Sequence, residues 1–183
     1  MSRSLPHVSL RPWRDDDLPL YAAMNADPEV MRYFPKTLTA EESRESYLRQ
    51  RGLIEERGWG LWVVDVDGVF AGFTGLAVPR FDAPFMPCVE IGWRLRREFW
   101  GQGIAYAAAR QAERYAFETL KLDELLTFTA AINTPSIRLM ERLGFARDLH
   151  GDFWHPSLER TSPLRLHVLY RKSRIQWAPD TAP

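Results

Sequence analysis

The pattern of apolar and polar positions divides the chain into alternating strand-like and helix-like segments. "VSLRPW" (Val8 to Trp13) reads as a short first strand. "RDDDLPLYAAMNADPEVMRYF" follows as a single helix, and Asp15 to Asp17 at its start complement the positive end of the helix dipole. "TAEESRESYLRQRGLIEERG" opens on a capping pair, Thr39 and Glu42, and Leu48, Leu53 and Ile54 outline an apolar face. Two apolar runs, "WGLWVVDV" and "VFAGFTGLAV", flank Asp67-Gly68 and predict a hairpin. "PRFDAPFMP" is a Pro-rich loop and "CVEIGWRL" the next strand.

The second half repeats this alternation. "REFWGQGIAYAAARQAERYAF" (Arg97 to Phe117) is a Gly-rich turn leading into an alanine-rich helix. "ELLTFTA" is a strand. "NTPSIRLMERLGF" is a helix with Thr134 as N-cap, Pro135 in the first turn, and Gly144 as the left-handed C-terminal cap. "FARDL" and "LRLHVLYR" close the series as strands, and "SRIQWAPDTAP" reads as a loose tail. The order β-α-α-β-β-β-α-β-α-β-β predicts one mixed sheet with helices on its faces. The whole chain, 1–183, is expected to be one domain, with its core over about 8–171 and a tail over 172–183.

Composition narrows the function. Lys and Arg number 24, as do Asp and Glu, so nonspecific nucleic-acid binding through phosphate neutralisation is not expected. The longest apolar run is six residues, Ile104 to Ala109, against the roughly 20 a membrane span needs. The N-terminal residues contain no apolar signal core, and a cytoplasmic location is the expectation. The single cysteine, Cys88, excludes an internal disulfide framework and a Cys-rich zinc site. No metal is expected, because His150 and His155 lack a carboxylate–histidine ligand pattern.

The turn before the alanine-rich helix carries the candidate chemistry. A helix N-terminus offers unpaired N–H groups and partial positive charge, and glycine lets an anion approach the backbone closely. Gly101 and Gly103 therefore form a candidate pyrophosphate cradle, or serve the turn alone. The Walker pattern G-x-x-x-x-G-K-[ST] is absent, and G-x-G-x-x-G fails at Tyr106, which disfavours an ATPase, a nucleotide switch or a dinucleotide oxidoreductase.

Trp100-Gly-Gln-Gly-Ile-Ala105 resembles the acyl-CoA-binding motif [QR]-x-x-G-x-[GA] of the GNAT acetyltransferase superfamily. Gly103 and Ala105 match its small positions. Trp100 in place of Gln or Arg is similar to the RimJ/RimL-type branch. "NTPSIRLMERLGF" resembles the N-x-x-[SA]-x-x-L-x-x-x-x-G-F segment of the same fold, and "LRPWRDDDLPLYAAMNADPEVMRYFP" its opening. The likeness covers about residues 8–171. It implies an α/β (mixed α+β) fold, with a central mixed, mostly antiparallel sheet flanked by helices on both faces. It also implies acetyl-CoA as co-substrate. The pantetheine arm would lie along the strand ending at Trp93 to Leu95. The pyrophosphate would sit on the amides of Gly101, Gln102, Gly103, Ile104 and Ala105. Asn133 would reach the pantetheine and Arg142 the nucleotide phosphates. Tyr33 and Phe34 would stand on the acceptor side. A homodimer is left open.

Acetyl transfer needs a neutral amine, and at pH 7 roughly a tenth of an α-amine is neutral against well under a thousandth of a lysine-type amine. A general base is therefore valuable. Glu90, in the mostly apolar "CVEIGW", is the candidate base if its cleft is partly dry, and otherwise an ordinary polar-face residue. The tyrosine that many members of the superfamily carry is Met140 here, and the RimJ/RimL-like resemblance implies Ser136 as the candidate proton donor to the leaving thiolate; otherwise Ser136 is an ordinary helix-start residue and no side-chain acid is used. Cys88 reads as inert packing. His155 and His167 read as structural or as lining the acceptor pocket. The expected function is acetyl-CoA-dependent N-acetyl transfer directly to an amine, a peptide N-terminus or a small molecule. The rival is a non-catalytic acyl-CoA-binding or partner-binding module on the same fold.

Overall fold

A computed structural model describes residues 6–177. β1 (Val8–Arg11) leads to α1 (Asp17–Ala26), α2 (Pro28–Met31) and α3 (Ala40–Arg57). The hairpin β2 (Leu61–Val66) and β3 (Val69–Ala77) follows, then β4 (Glu90–Leu95). A 3₁₀ turn at Arg97–Phe99 precedes α4 (Ile104–Arg114), which ends in a π turn at Tyr115–Thr119. β5 (Glu124–Ala130), α5 (Thr134–Arg142), β6 (Ala146–Trp154) and β7 (Leu166–Ser173) complete the order. Among the described residues seven strands share one sheet, in the order β1-β2-β3-β4-β5-β7-β6, and only the β4–β5 pair is parallel.

The elements have local causes. Asp67 and Gly68, at φ 50° and 85°, make the left-handed hairpin turn that the Asp-Gly pair predicts. Thr39 and Glu42 close a capping box on α3, and Gly58, at φ 80°, ends it. The expected long first helix is broken. Asp27 is extended (φ −76°, ψ 115°) because Pro28 disfavours a helical predecessor, and its side chain accepts from the Glu29 amide to start α2 afresh. Asp15 to Asp17 do more than complement a dipole. Asp17 is buried against Arg11 at 2.7 Å, and Asp15 pairs with Arg51 at 2.6 Å.

Three further expectations are corrected. α3 buries Ser43, Ser46 and Tyr47, while Leu48 is exposed, because Ser43 and Ser46 bond Asn25 and Tyr21 of α1. The N-cap of α5 is Asn133, not Thr134: its side chain accepts from the Ser136 amide. The last strand runs to Ser173, so Lys172 belongs to the core and not to a tail. Trp177 also packs on Phe117 at 5.6 Å. The rest of the expected tail, 178–183, lies outside the described residues.

The sheet separates two cores. On one face, α1 to α3 bury Trp13, Tyr21, Met24 and Tyr47 over Val63 and Phe73. On the other, Ala108, Ala109, Ala112 and Ala116, all fully buried, let the α4 segment lie close to the sheet, over Leu76 and Ile91. Behind α4, Glu113 is fully buried. Lys172 Nζ donates to it at 2.9 Å and to the Leu143 carbonyl at 2.5 Å, and Arg110 pairs with it at 3.0 Å. Burial pushes the Glu113 carboxyl up, and these cations oppose the shift.

Removing one member of such a pair strands the other charge. Lys172→Met should cost about 3 kcal/mol, the low end for a broken buried pair because Arg110 still faces Glu113. The shift in urea midpoint reads this directly. A loss under about 0.5 kcal/mol, the size of an ordinary surface change, would mean that the pair carries no stability.

Candidate active site

The site begins where the sheet parts. β4 and β5 are held in register only at Glu90 and Leu126, where the Leu126 amide donates to the Val89 carbonyl at 3.1 Å. Beyond it, Thr127 Oγ1 reaches across to the Ile91 carbonyl at 3.0 Å, a side chain doing what a ladder amide would do. Arg96 donates its amide to Ala71 on the β3 side. Alternate residues of a strand turn their backbone groups to opposite neighbours. Ile91, Trp93 and Leu95 therefore turn theirs toward β5. The Leu95 carbonyl is taken by Trp100 Nε1 at 2.9 Å. The amide and carbonyl of Trp93 face the gap between the strands.

The Gly-rich turn stands at the end of β4. Gly101 and Gly103 have φ of 70° and 76°, a left-handed conformation that side chains resist. A Cβ at either would meet nothing within 4 Å, so the backbone here borders open space. Gly103 is the N-cap of α4, and the first intrahelical bond runs from Ala107 to its carbonyl. The amides of Gly103, Ile104, Ala105 and Tyr106 precede that bond and lack helical partners. Gln102 is turned away, its Nε2 donating to the Glu98 carbonyl at 2.7 Å. Ile104 is buried and anchors the turn to Val66 and Leu95. Trp100, 38% exposed, stacks under the Arg32 guanidinium at 5.6 Å. Arg142 lies over the Tyr106 ring at 4.5 Å.

Across the gap, the start of α5 holds a small polar network. Asn133 is buried; its Oδ1 accepts from the Ser136 amide at 3.4 Å, and its Nδ2 donates to Thr129 Oγ1 at 2.8 Å and to Ser136 Oγ at 3.1 Å. Trp93 Nε1 also approaches Ser136 Oγ, at 3.4 Å. Both neighbours are donors, so the hydroxyl oxygen of Ser136 accepts and its own proton is left to point elsewhere. Met140, one helical turn further on, is fully buried and has no proton to give.

One cavity of about 890 Å³ joins these parts, lined by Trp93, Trp100, Gly101, Gly103, Asn133 and Ser136 among others. Glu90, Tyr33 and Phe34 border the same space. Glu90 has no cation bonded to it among the described residues, and desolvation pushes its carboxyl up to about 8. His155 and His167 line the cavity too, their rings 4.9 Å apart beside Phe153. Burial lowers both imidazoles, His167 to about 4, so they are neutral at pH 7. Cys88 is half-buried, and desolvation raises its thiol to about 11, which makes it a poor nucleophile. Among the described residues no group of three or more His, Cys, Asp or Glu side chains could hold a metal, and no helix is long and apolar enough to cross a membrane.

The residues singled out in sequence thus converge, apart from Gln102, whose side chain points away from the cavity, and Leu95, whose carbonyl is occupied. Sequence reasoning passed over Thr127 and Thr129, which look like ordinary strand threonines, and Arg94, the one basic residue within "EIGWRL". That basic residue in a mostly apolar strand was the available signal.

Comparison with known proteins agrees with this geometry. Residues 7–146 match the family model described as "Acetyltransferase (GNAT) domain". A curated relative, FsC-acetyl coenzyme A-N(2)-transacetylase of Aspergillus fumigatus, is 35% identical over 128 residues, 66% of this chain. The match spans 54% of that relative's length. A GNAT-family acetyltransferase from Bacillus anthracis superposes with a TM-score of 0.75 at 22% identity, covering 92% of this chain and 95% of that one. Spermidine N-acetyltransferase from Vibrio cholerae, in complex with CoA and spermine, gives a TM-score of 0.72 at 18% identity, covering 92% and 96%. With its parted sheet, glycine turn and family match together, the chain belongs to the GNAT acetyltransferase family.

Proposed function

We propose that this protein transfers the acetyl group of acetyl-CoA directly to a primary amine, with the gap between β4 and β5 as the place of reaction. The observation that carries this reading is the gap itself: a strand edge with the Trp93 amide and carbonyl exposed, ending at two left-handed glycines and the open N-terminus of α4. An extended amide-bearing arm pairs with such an edge as an added strand. A pyrophosphate at its end meets unpaired N–H groups and the positive end of a helix dipole. CoA has this form, and the Vibrio cholerae neighbour was solved with CoA. Asn133 then borders the arm, and Arg142 and Arg32 border the phosphate end.

The chain's own residues supply the proton steps. Glu90, with its carboxyl near 8, is poised to take a proton from the incoming ammonium or from the amine as it attacks. Ser136, whose oxygen already accepts from Asn133, offers its proton to the departing thiolate and regains one from water, while Glu90 holds the proton taken from the amine. Tyr33 and Phe34 wall the acceptor side. Trp100 and Ser136 carry the RimJ/RimL-like character within this reading.

Calorimetric titration tests the cofactor. Acetyl-CoA should bind saturably and ATP and NAD should not, while Gly103→Glu, which adds an anion and strain to the cradle, should weaken binding at least about tenfold, some 1.4 kcal/mol. A well-folded wild type that ignores acetyl-CoA would sink the proposal and favour a cradle that serves only the turn. Kinetics test the side chains. Glu90→Gln should lower kcat/KM by about 10²-fold or more, and Ser136→Ala should lower kcat with little change in acetyl-CoA affinity. Unchanged turnover in either variant removes that residue from the mechanism.

Glu90 also predicts a pH dependence of stability. The folded carboxyl keeps its proton to about 8, while the unfolded one releases it near 4.5. Between those values the folded state binds more protons, so stability falls as pH rises through this window. Glu90→Gln should flatten that fall in urea titrations at pH 5 and pH 8. An equal slope in both proteins would place Glu90 in water.

A further inference from the structure

Arg94 is a charged group in the cavity that the proposed chemistry does not use. It follows Glu90 and Gly92 on one face of β4, opposite Ile91, Trp93 and Leu95. Its guanidinium stacks on Phe34 at 4.0 Å and lies 5.3 Å from Phe73. Nη1 donates to Asn25 Oδ1 at 2.7 Å, and Nε is buried with no hydrogen-bond partner. No carboxylate is bonded to it among the described residues. Desolvation lowers it to about 10, so it remains charged at pH 7. A buried cation without an anion is costly unless something completes it.

The space beside it is shaped for a small molecule. Glu90 and Arg94 leave the strand with Cα atoms roughly 13 Å apart, at about 3.3 Å per residue. Between them Gly92 offers no side chain, and a Cβ there would meet nothing within 4 Å. The two side chains thus face a common open floor, a carboxyl at one end and a fork of N–H donors at the other.

Charge selects what can enter. The cavity is lined by five arginines, Arg32, Arg49, Arg94, Arg138 and Arg142. Among the described residues its two carboxyl groups are Glu29, already 3.5 Å from Arg32, and Glu90, which is mostly protonated at pH 7. A polyamine would bring extra ammonium groups with no free carboxylate to hold them.

Resting on the transferase reading above, we propose that the acceptor is a small amine that also carries a carboxylate, an amino acid or close derivative, and that Arg94 binds this carboxylate while the amine lies toward Glu90. Arg94 is then a specificity-determining residue, and Asn25 and Phe34 hold its guanidinium in place. The acceptor class differs from that named for the Vibrio cholerae neighbour.

The test compares acceptors that differ only in the carboxylate: L-amino acids, each as free acid and as carboxamide, with spermidine alongside. The carboxamide's amine is the less basic of each pair, so more of it is neutral, and preference for the acid cannot come from amine ionisation. Wild type should show kcat/KM at least about tenfold higher for the best free acid than for its carboxamide or for spermidine, the scale of one charge-assisted bond. Arg94→Gln should raise KM for the acid by about 10- to 100-fold, with kcat and the carboxamide's KM each within about threefold. Arg94→Lys should recover part of the loss, because it restores charge without the fork. Equal use of acid and carboxamide by wild type, or an equal loss on both in Arg94→Gln, overturns the assignment and leaves Arg94 as a support for Phe34. The wild-type comparison stands even if the variant folds poorly. Acetyl-CoA binding with no amine acetylated would overturn the transferase reading itself, whereas acetylation indifferent to the carboxylate overturns only this one.

Discussion

The structure turns on one omission in the sheet. Parallel strands β4 and β5 would normally share a continuous ladder, yet they keep register only at Glu90 and Leu126. Each unpaired backbone group buried away from water costs free energy, so a sheet does not part without compensation. Here the compensation is local. Thr127 caps the Ile91 carbonyl, Trp100 caps the Leu95 carbonyl, and Asn133 ties the end of β5 to the first turn of α5. What is left over is the Trp93 edge, a short stretch of backbone facing a cavity.

The helices are placed by the same parting. Alanines at the α4–sheet contact bring the helix near enough for Gly103, its N-cap, to stand at the end of β4. α5 starts at the end of β5, on the opposite side of the gap, and delivers Ser136 toward Trp93. The two helix starts thus flank the opening. The opposite face of β4 carries Glu90, Gly92 and Arg94 toward α1 to α3. One strand therefore divides the cavity into a side suited to an extended anionic cofactor and a side suited to its acceptor.

Much of this was legible in the chain. The hairpin followed from Asp67-Gly68, α3 from its capping box, and the glycine turn from its place between an apolar strand and an alanine-rich helix. These signals are local, and the structure honours them. The misreadings have long-range causes. α3 buries serines in place of Leu48 because its partner, α1, presents Tyr21 and Asn25 as polar contacts. Lys172 looks like a tail residue until Glu113, far away in sequence, is seen beneath it. Arg94 could not be weighed from sequence, because the lack of a bonded carboxylate among the described residues is a property of the folded neighbourhood alone. The family motifs lie along the glycine turn and the start of α5, whereas the groups around Arg94 of β4 come from α1, the loop after α2 and β3.

A single physical cause unifies the chemistry of the cavity. Where its walls are apolar and aromatic, burial disfavours whichever charged form a group would otherwise adopt. That raises Glu90 and lowers His167 and Arg94, each with desolvation as its first cause. For Glu90 the result is a carboxyl matched to proton transfer near neutrality. For the imidazoles it is loss of charge, so they join the aromatic wall as neutral rings at pH 7. Of these three shifted groups, Arg94 stays charged, because its ordinary value is too high for burial to neutralise it. A dry site can thus hold one persistent positive charge and one adjustable proton acceptor on the same strand face. A carboxylate entering such a site is drawn to the Arg94 end, while an ammonium is repelled there and gives up its proton only to the ionised fraction of Glu90. Orientation of a zwitterionic acceptor therefore follows from the burial that tunes the base, and needs no further residue.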